Sequence, residues 1–299
     1  AAGEVCLPIT TMPPATRPGP NLGYAILMTM TFLGIQVVCG SLVSLAIALM
    51  HGKASATAAA TPIVTLVANS LAFATILAWG ASANRESWRA SLPAAPLGAS
   101  STAAVILSTV GLGAVLSEAG NLFTMILPIP ESIMAIMRSI LNNADHPVLS
   151  AILVVVFAPI TEEILFRGLI LRGLLSRMRA PAAIGTSALL FALVHANPWQ
   201  FIGPLALGVL FGWWYVRTRS LIPCILGHAV NNALALACRH SPIDIPGLTG
   251  HTEQPVHQPW AITLGGAILL LVTLWWFHRA TPPATPLEPP APDQPPLLA

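Results

Sequence analysis

The sequence predicts an all-α polytopic membrane bundle of about eight spanning helices around a polar cavity. Composition predicts it first: 55% of the 299 residues are hydrophobic and 8% are charged, with a mean hydropathy of +0.75. A soluble domain carries roughly 25% charged residues, so this chain cannot cover a globular surface facing water. The apolar runs are also long and continuous, without the alternation of a barrel strand, which selects helices among the two structures that satisfy their own backbone in lipid. Finally, the few ionisable groups include a cluster placed inside those runs.

A span needs about 20 apolar residues, and on that ruler helices fall near 22–50, 61–83, 101–127, 147–176, 181–197, 201–217, 221–238 and 259–278. The fifth and sixth are short and separated by "ANPWQ", where Pro198 stops a helix and Trp199 suits an interface. Between the third and fourth, "IPESIMAIMRSILNNADHP" is amphipathic and reads as a surface helix, with Ile133, Ile136, Met137 and Ile140 on one face. Residues 1–20 hold five prolines and no basic segment before an apolar core, so they read as an unstructured segment rather than a signal peptide. Residues 280–299 hold eight prolines and read as a second unstructured stretch. A single membrane domain, 21–279, lies between them, its chemistry concentrated in about 147–240.

Eight spans assign every loop to a side. One side then collects Arg17, Arg85, Arg89, Arg172, Arg177, Arg179, Arg217, Arg219 and Arg279, the other only Lys53, Arg138 and Arg239. The positive-inside rule places the arginine-rich side, and both termini, in the cytoplasm. Trp213, Trp214, Trp275 and Trp276 fall near cytoplasmic helix ends, where an aromatic belt belongs. Cys6, Cys39, Cys224 and Cys238 are scattered without metal or disulfide spacing and read as small packing residues. A net charge of +2 offers nothing for nucleic acid.

Charged groups inside a bilayer cost from about 3 kcal/mol upward and mark function. In "TEEILFRG", Glu163 and Arg167 are i,i+4 neighbours on one face. Glu162 points about 140° away from Arg167 by helical geometry. Arg167 therefore neutralises Glu163, and Glu162 keeps a carboxylate for general-base work. "FALVHA" sets Phe191 and His195 on one face, and "GHAVNNA" does the same for His228 and Asn232, two donors suited to an oxyanion. Asn231 is the weaker candidate. A packing ion pair and an interhelical clasp are the plain alternatives for each motif alone. Together the three motifs supply a base, a partner imidazole and paired donors, the parts needed to hydrolyse an amide. G-x-S-x-G and H-E-x-x-H are absent. Glu118, at the outward end of the third helix, reads as a group reaching the interface.

E-E-x-x-x-R, F-x-x-x-H and H-x-x-x-N, in this order on successive apolar helices, resemble the CPBP intramembrane protease family, which includes type II CAAX prenyl endopeptidases and bacterial Abi proteins. The resemblance covers roughly 147–240. It implies Glu162 as the base activating water, His195 as its catalytic partner, His228 and Asn232 as the oxyanion site, and Arg167 as support for the glutamate helix. Zinc on Glu162, Glu163, His195 and His228 is the second reading; diverging glutamates and the Arg167 pairing favour a reaction with no metal or cofactor. The substrate implied is a membrane-associated protein or peptide cut near its terminus. The Ala- and Pro-rich composition and short loops point to a bacterial inner membrane. A proton- or ion-coupled transporter built on the same buried Glu, His and Arg is the competing class, but neither inverted repeats nor Gly/Pro-broken helix pairs are found to support it.

Overall fold

The computed structural model describes residues 21–51, 53–84, 92–134, 147–249 and 255–282. Among them the secondary structure is helical throughout, with no strand. We number the helices α1 Leu22–His51, α2 Lys53–Asn84, α3 Ala99–Ile126, α4 Pro147–Leu175, α5 Ala180–Leu193, α6 Ile202–Thr218, α7 Ile222–Arg239 and α8 Trp260–Ala280. All eight expected segments are present. By length and composition four are suited to crossing a membrane: Leu22–Ala46 of α1, then α3, α4 and α8. The apolar parts of α2 (Val64–Gly80) and α5 are shorter. The proline-rich segments, apart from 280–282, and most of the amphipathic stretch, including Ile136, Met137 and Ile140, lie outside the described residues.

Two boundaries differ from expectation. The second helix starts at Lys53 rather than 61. The fifth stops at Leu193 rather than 197. Pro198 disfavours helix at the residue before it, and Asn197 is extended while Ala196 takes a left-handed φ of 49°. The helix therefore ends before Ala196, and His195 sits in the turn beyond it.

The connections sort into two ends. At one, Leu221 N–H and Ser220 Oγ donate to Pro93 and Ala95 carbonyls, each at 2.8 Å, and Arg217 Nη2 reaches the His278 carbonyl. At the other, Trp199 Nε1 donates to Leu127 O at 2.7 Å, and Ser117 and Asn121 both donate to Gly247 O. The α2–α3 and α6–α7 connections and the end of α8 thus share one end, and the α3–α4, α5–α6 and α7–α8 connections share the other. One tryptophan departs from the belt expectation: Trp214 is fully buried against Phe211 and Gly227 and belongs to the core. Cys39, Cys224 and Cys238 are free thiols.

Close backbone approach sets α3 against α8. A Cβ on Gly111 would stand 2.7 Å from the Gly266 carbonyl, and one on Gly266 would stand 2.6 Å from Ala114 Cβ. Small residues at such crossings let helices associate where no hydrophobic drive separates protein from lipid. Gly266→Val therefore has to push α8 outward, and we expect a loss of about 1–3 kcal/mol, the usual range for overpacking. Denaturant titration in detergent, with Gly265→Val as the control at a position whose Cβ meets nothing within 4 Å, checks it.

Candidate active site

The site grows out of irregularity in α4. Two stretches, Leu153–Phe157 and Ile164–Leu171, are wound as π-helix, a form found chiefly as local bulges, frequently at functional sites. The first has a cause in the sequence. Ala158 N–H bonds to Leu153 O, five residues back. The next donor in that register would be residue 159, a proline with no N–H. Val154 O is left without a backbone donor, and Asn232 Nδ2 on α7 supplies one at 2.9 Å. Asn231 Nδ2 donates in turn to Asn232 Oδ1 at 3.1 Å. Asn232 thus clamps α7 to α4, and one of its two amide N–H groups remains for the cavity.

Asn232→Ala leaves a half-buried carbonyl without its donor, at an expected cost of about 1 kcal/mol. In a Pro159→Ala background the backbone can supply the missing donor, so the same substitution should cost distinctly less. Equal costs in a double-mutant cycle of unfolding midpoints would remove the link.

One turn further on, Glu163 and Arg167 are both completely buried and form the expected pair, with Arg167 Nη1 2.9 Å from each Glu163 oxygen. The guanidinium also donates to Gly208 O at 3.2 Å and packs on the rings of Phe191 and Phe211, 4.6 and 5.4 Å from their centroids. Such rings favour a cation held out of water. Glu163, however, is not consumed by Arg167 alone. His228 Nδ1 lies 2.8 Å from Glu163 Oε1. An ionised carboxylate only accepts, so the network assigns the proton to Nδ1 and turns Nε2 to the other side. There Glu162 Oε2 stands 3.9 Å away, beyond a direct hydrogen bond.

The two glutamates diverge as the helical geometry requires: the Glu162 side chain is 21% exposed while Glu163 is sealed. Glu162 Oε2 accepts no hydrogen bond among the described residues. His195 Nδ1 lies 2.9 Å from the Phe191 carbonyl, which likewise places its proton on Nδ1 and frees Nε2. The Phe191 ring meets His195 and His228 edge-on, with centroids 5.2 and 5.7 Å apart. One aromatic side chain therefore holds both imidazoles, an arrangement the F-x-x-x-H spacing shows for His195 alone. Within ion-pair range of Glu162 the structure brings His228, not His195.

Other supporting residues carried weaker signals. Ser187 on α5 donates to Phe166 O at 3.0 Å across helices, and no sequence feature singled it out. Pro159, inside an apolar helix, was a readable mark of broken hydrogen bonding. Glu118 gathers His257 Nδ1 at 2.6 Å, Gln258 N–H at 2.9 Å and Asn121 Nδ2 at 3.3 Å, tying the 255–259 segment to α3.

Residues 144–234 match the family model described as type II CAAX prenyl endopeptidase, Rce1-like. The matched stretch is less than half of the chain, and it carries all three motifs from Glu162 to Asn232. No curated protein and no solved structure matches the chain. The matched model describes an endopeptidase family, which supports hydrolytic over transport chemistry, and together with the four helices long and apolar enough to cross a membrane it supports an integral membrane protein. Within that segment the four-residue zinc set is divided: Glu163 already serves Arg167 and His228. Among the described residues no three His, Cys, Asp or Glu side chains are grouped to hold a metal.

Proposed function

We propose that the chain is an intramembrane endopeptidase that hydrolyses a peptide bond near the terminus of a membrane-associated protein or peptide. The observation that carries this reading is the Glu162 carboxylate, whose Oε2 accepts no hydrogen bond among the described residues and faces His228 Nε2 at 3.9 Å. Glu162 takes a proton from water as the water oxygen bonds to the scissile carbonyl carbon, whose π electrons move onto the carbonyl oxygen. His195, with Nε2 free, is the partner imidazole that accepts and returns protons. The oxyanion is met by His228, protonated at Nε2, and by the remaining amide N–H of Asn232. Collapse of the intermediate breaks the C–N bond, and the proton taken from water passes to the leaving nitrogen. The products are a carboxylic acid and an amine.

Glu163 and Arg167 act at one remove. To donate from Nε2 while Glu163 holds its Nδ1 proton, His228 must act as the imidazolium, with Glu163 as the carboxylate beside it. No resident metal is needed, because Glu163 is engaged elsewhere and water is activated by the Glu162 carboxylate. We assign the protein to a bacterial inner membrane with both termini cytoplasmic, supported by the arginine asymmetry.

The test is comparative membrane proteomics of cells carrying the wild type or Glu162→Ala. A membrane protein keeping its terminal segment only in the mutant is the expected result; identical terminal peptides throughout would refute the reading. With the substrate in hand, a chelator should leave hydrolysis by purified protein unchanged. Loss of activity that zinc restores would overturn the metal-free mechanism.

A further inference from the structure

We propose that the catalytic groups are open to the arginine-poor end of the bundle only, so that the substrate is a peptide segment presented from the extracytoplasmic side of the membrane. Burial changes abruptly at the site. From Glu163 to Leu171 every residue of α4 is buried, whereas from Pro147 to Glu162 only Leu153, Pro159 and Thr161 are. On α7, Pro223, Cys224, Gly227 and His228 are buried, and beyond His228 no residue of the helix is. Among the described residues both helices therefore pass from packed to more exposed at the level of Glu162 and His228; on α4 the exposed positions include the apolar Val148, Ile152, Val156 and Ile160, a stripe suited to lipid.

Helix α5 explains the asymmetry. Its 14 residues rise about 21 Å from the arginine-rich end, too little for a hydrocarbon core of about 30 Å. Phe191, in the last turn of α5, touches both His195 and the His228 that faces Glu162, and beyond it α5 is replaced by the turn at 194–201. Non-helical backbone at membrane depth persists where it lines a wet cavity or is held by protein. Here Trp199 is held by Asn197 and Leu127, while Glu162, His195, Asn231 and Asn232 are polar groups only half-buried. Below the site Phe211, Trp214, Leu221 and Phe277 close the bundle, each at most 2% exposed. Arg172, Arg177, Arg179, Arg217, Arg219 and Arg279 mark that closed end, which the positive-inside rule makes cytoplasmic.

The substrate class rests on the proteolytic reading; the direction of access does not, and thiol chemistry separates the two. In a background with Cys6, Cys39, Cys224 and Cys238 replaced by Ala, single Glu162→Cys, His195→Cys and Arg177→Cys variants are treated with a charged, membrane-impermeant methanethiosulfonate. Glu162→Cys and His195→Cys should react in right-side-out vesicles and lose reaction in inverted ones, with Arg177→Cys showing the reverse. If Glu162→Cys misfolds, His195→Cys carries the same readout. Reaction from the Arg177 side, or from neither side, overturns the proposal. The expected labelling in a protein that cleaves nothing would leave the access route standing and remove the protease.

Discussion

Replacing Glu162 by Gln is expected to lower peptide hydrolysis by about 10³-fold, within the 10²–10⁴-fold range of a positioned acid–base group. The substitution keeps size and shape but removes the proton acceptor. The fold should survive it, because Glu162 lies outside the buried pair and its Oε2 makes no hydrogen bond to lose. The unfolding midpoint should therefore stay close to that of the wild type. Glu162→Asp, with the carboxylate withdrawn by one methylene, should retain a small part of the rate. The measurement is single-turnover cleavage by purified protein in lipid nanodiscs. Undiminished turnover by a folded Glu162→Gln protein would leave the mechanism without its base.

The second large effect is on stability. Glu163→Gln leaves the Arg167 guanidinium buried without its counter-ion, and removal of one member of a buried pair costs about 3–5 kcal/mol. Arg167→Met strands the carboxylate in the same way, though His228 remains to share the charge. The double variant removes both charges and should recover part of the loss. A cycle of unfolding free energies in detergent gives this directly. Glu163→Gln should also reduce activity, since a neutral amide oxygen holds the His228 Nδ1 proton more weakly than a carboxylate does. Single variants as stable as the wild type would mean that the pair contributes nothing to the packed half of α4.

Legibility followed the range of each interaction. The Glu163–Arg167 pair, the shared face of Phe191 and His195, and the separation of Glu162 from Arg167 all lie within one chain segment, where 3.6 residues per turn dictate neighbours. The family resemblance rested on the same local spacings and coincides with the matched stretch at 144–234. Contacts between helices were not readable. Nothing in "GHAVNNA" says that His228 bonds to Glu163 while facing Glu162, or that Asn232 fills the carbonyl orphaned by Pro159. Trp214 was misplaced for a related reason: an aromatic residue near a helix end sits at an interface unless a neighbour such as Gly227 makes room for it in the core.

By itself, then, the sequence determined that the chain is a helical membrane protein, where its helices lie, and which polar residues stand inside them. Apolar run length and helical periodicity are local properties, and the cost of charge in lipid makes each buried ionisable residue conspicuous. Only the tertiary structure decided which imidazole stands beside Glu162, what Asn232 holds, and where α5 stops short. Those outcomes depend on how separate helices cross and how deeply each descends, and packing between helices settles both.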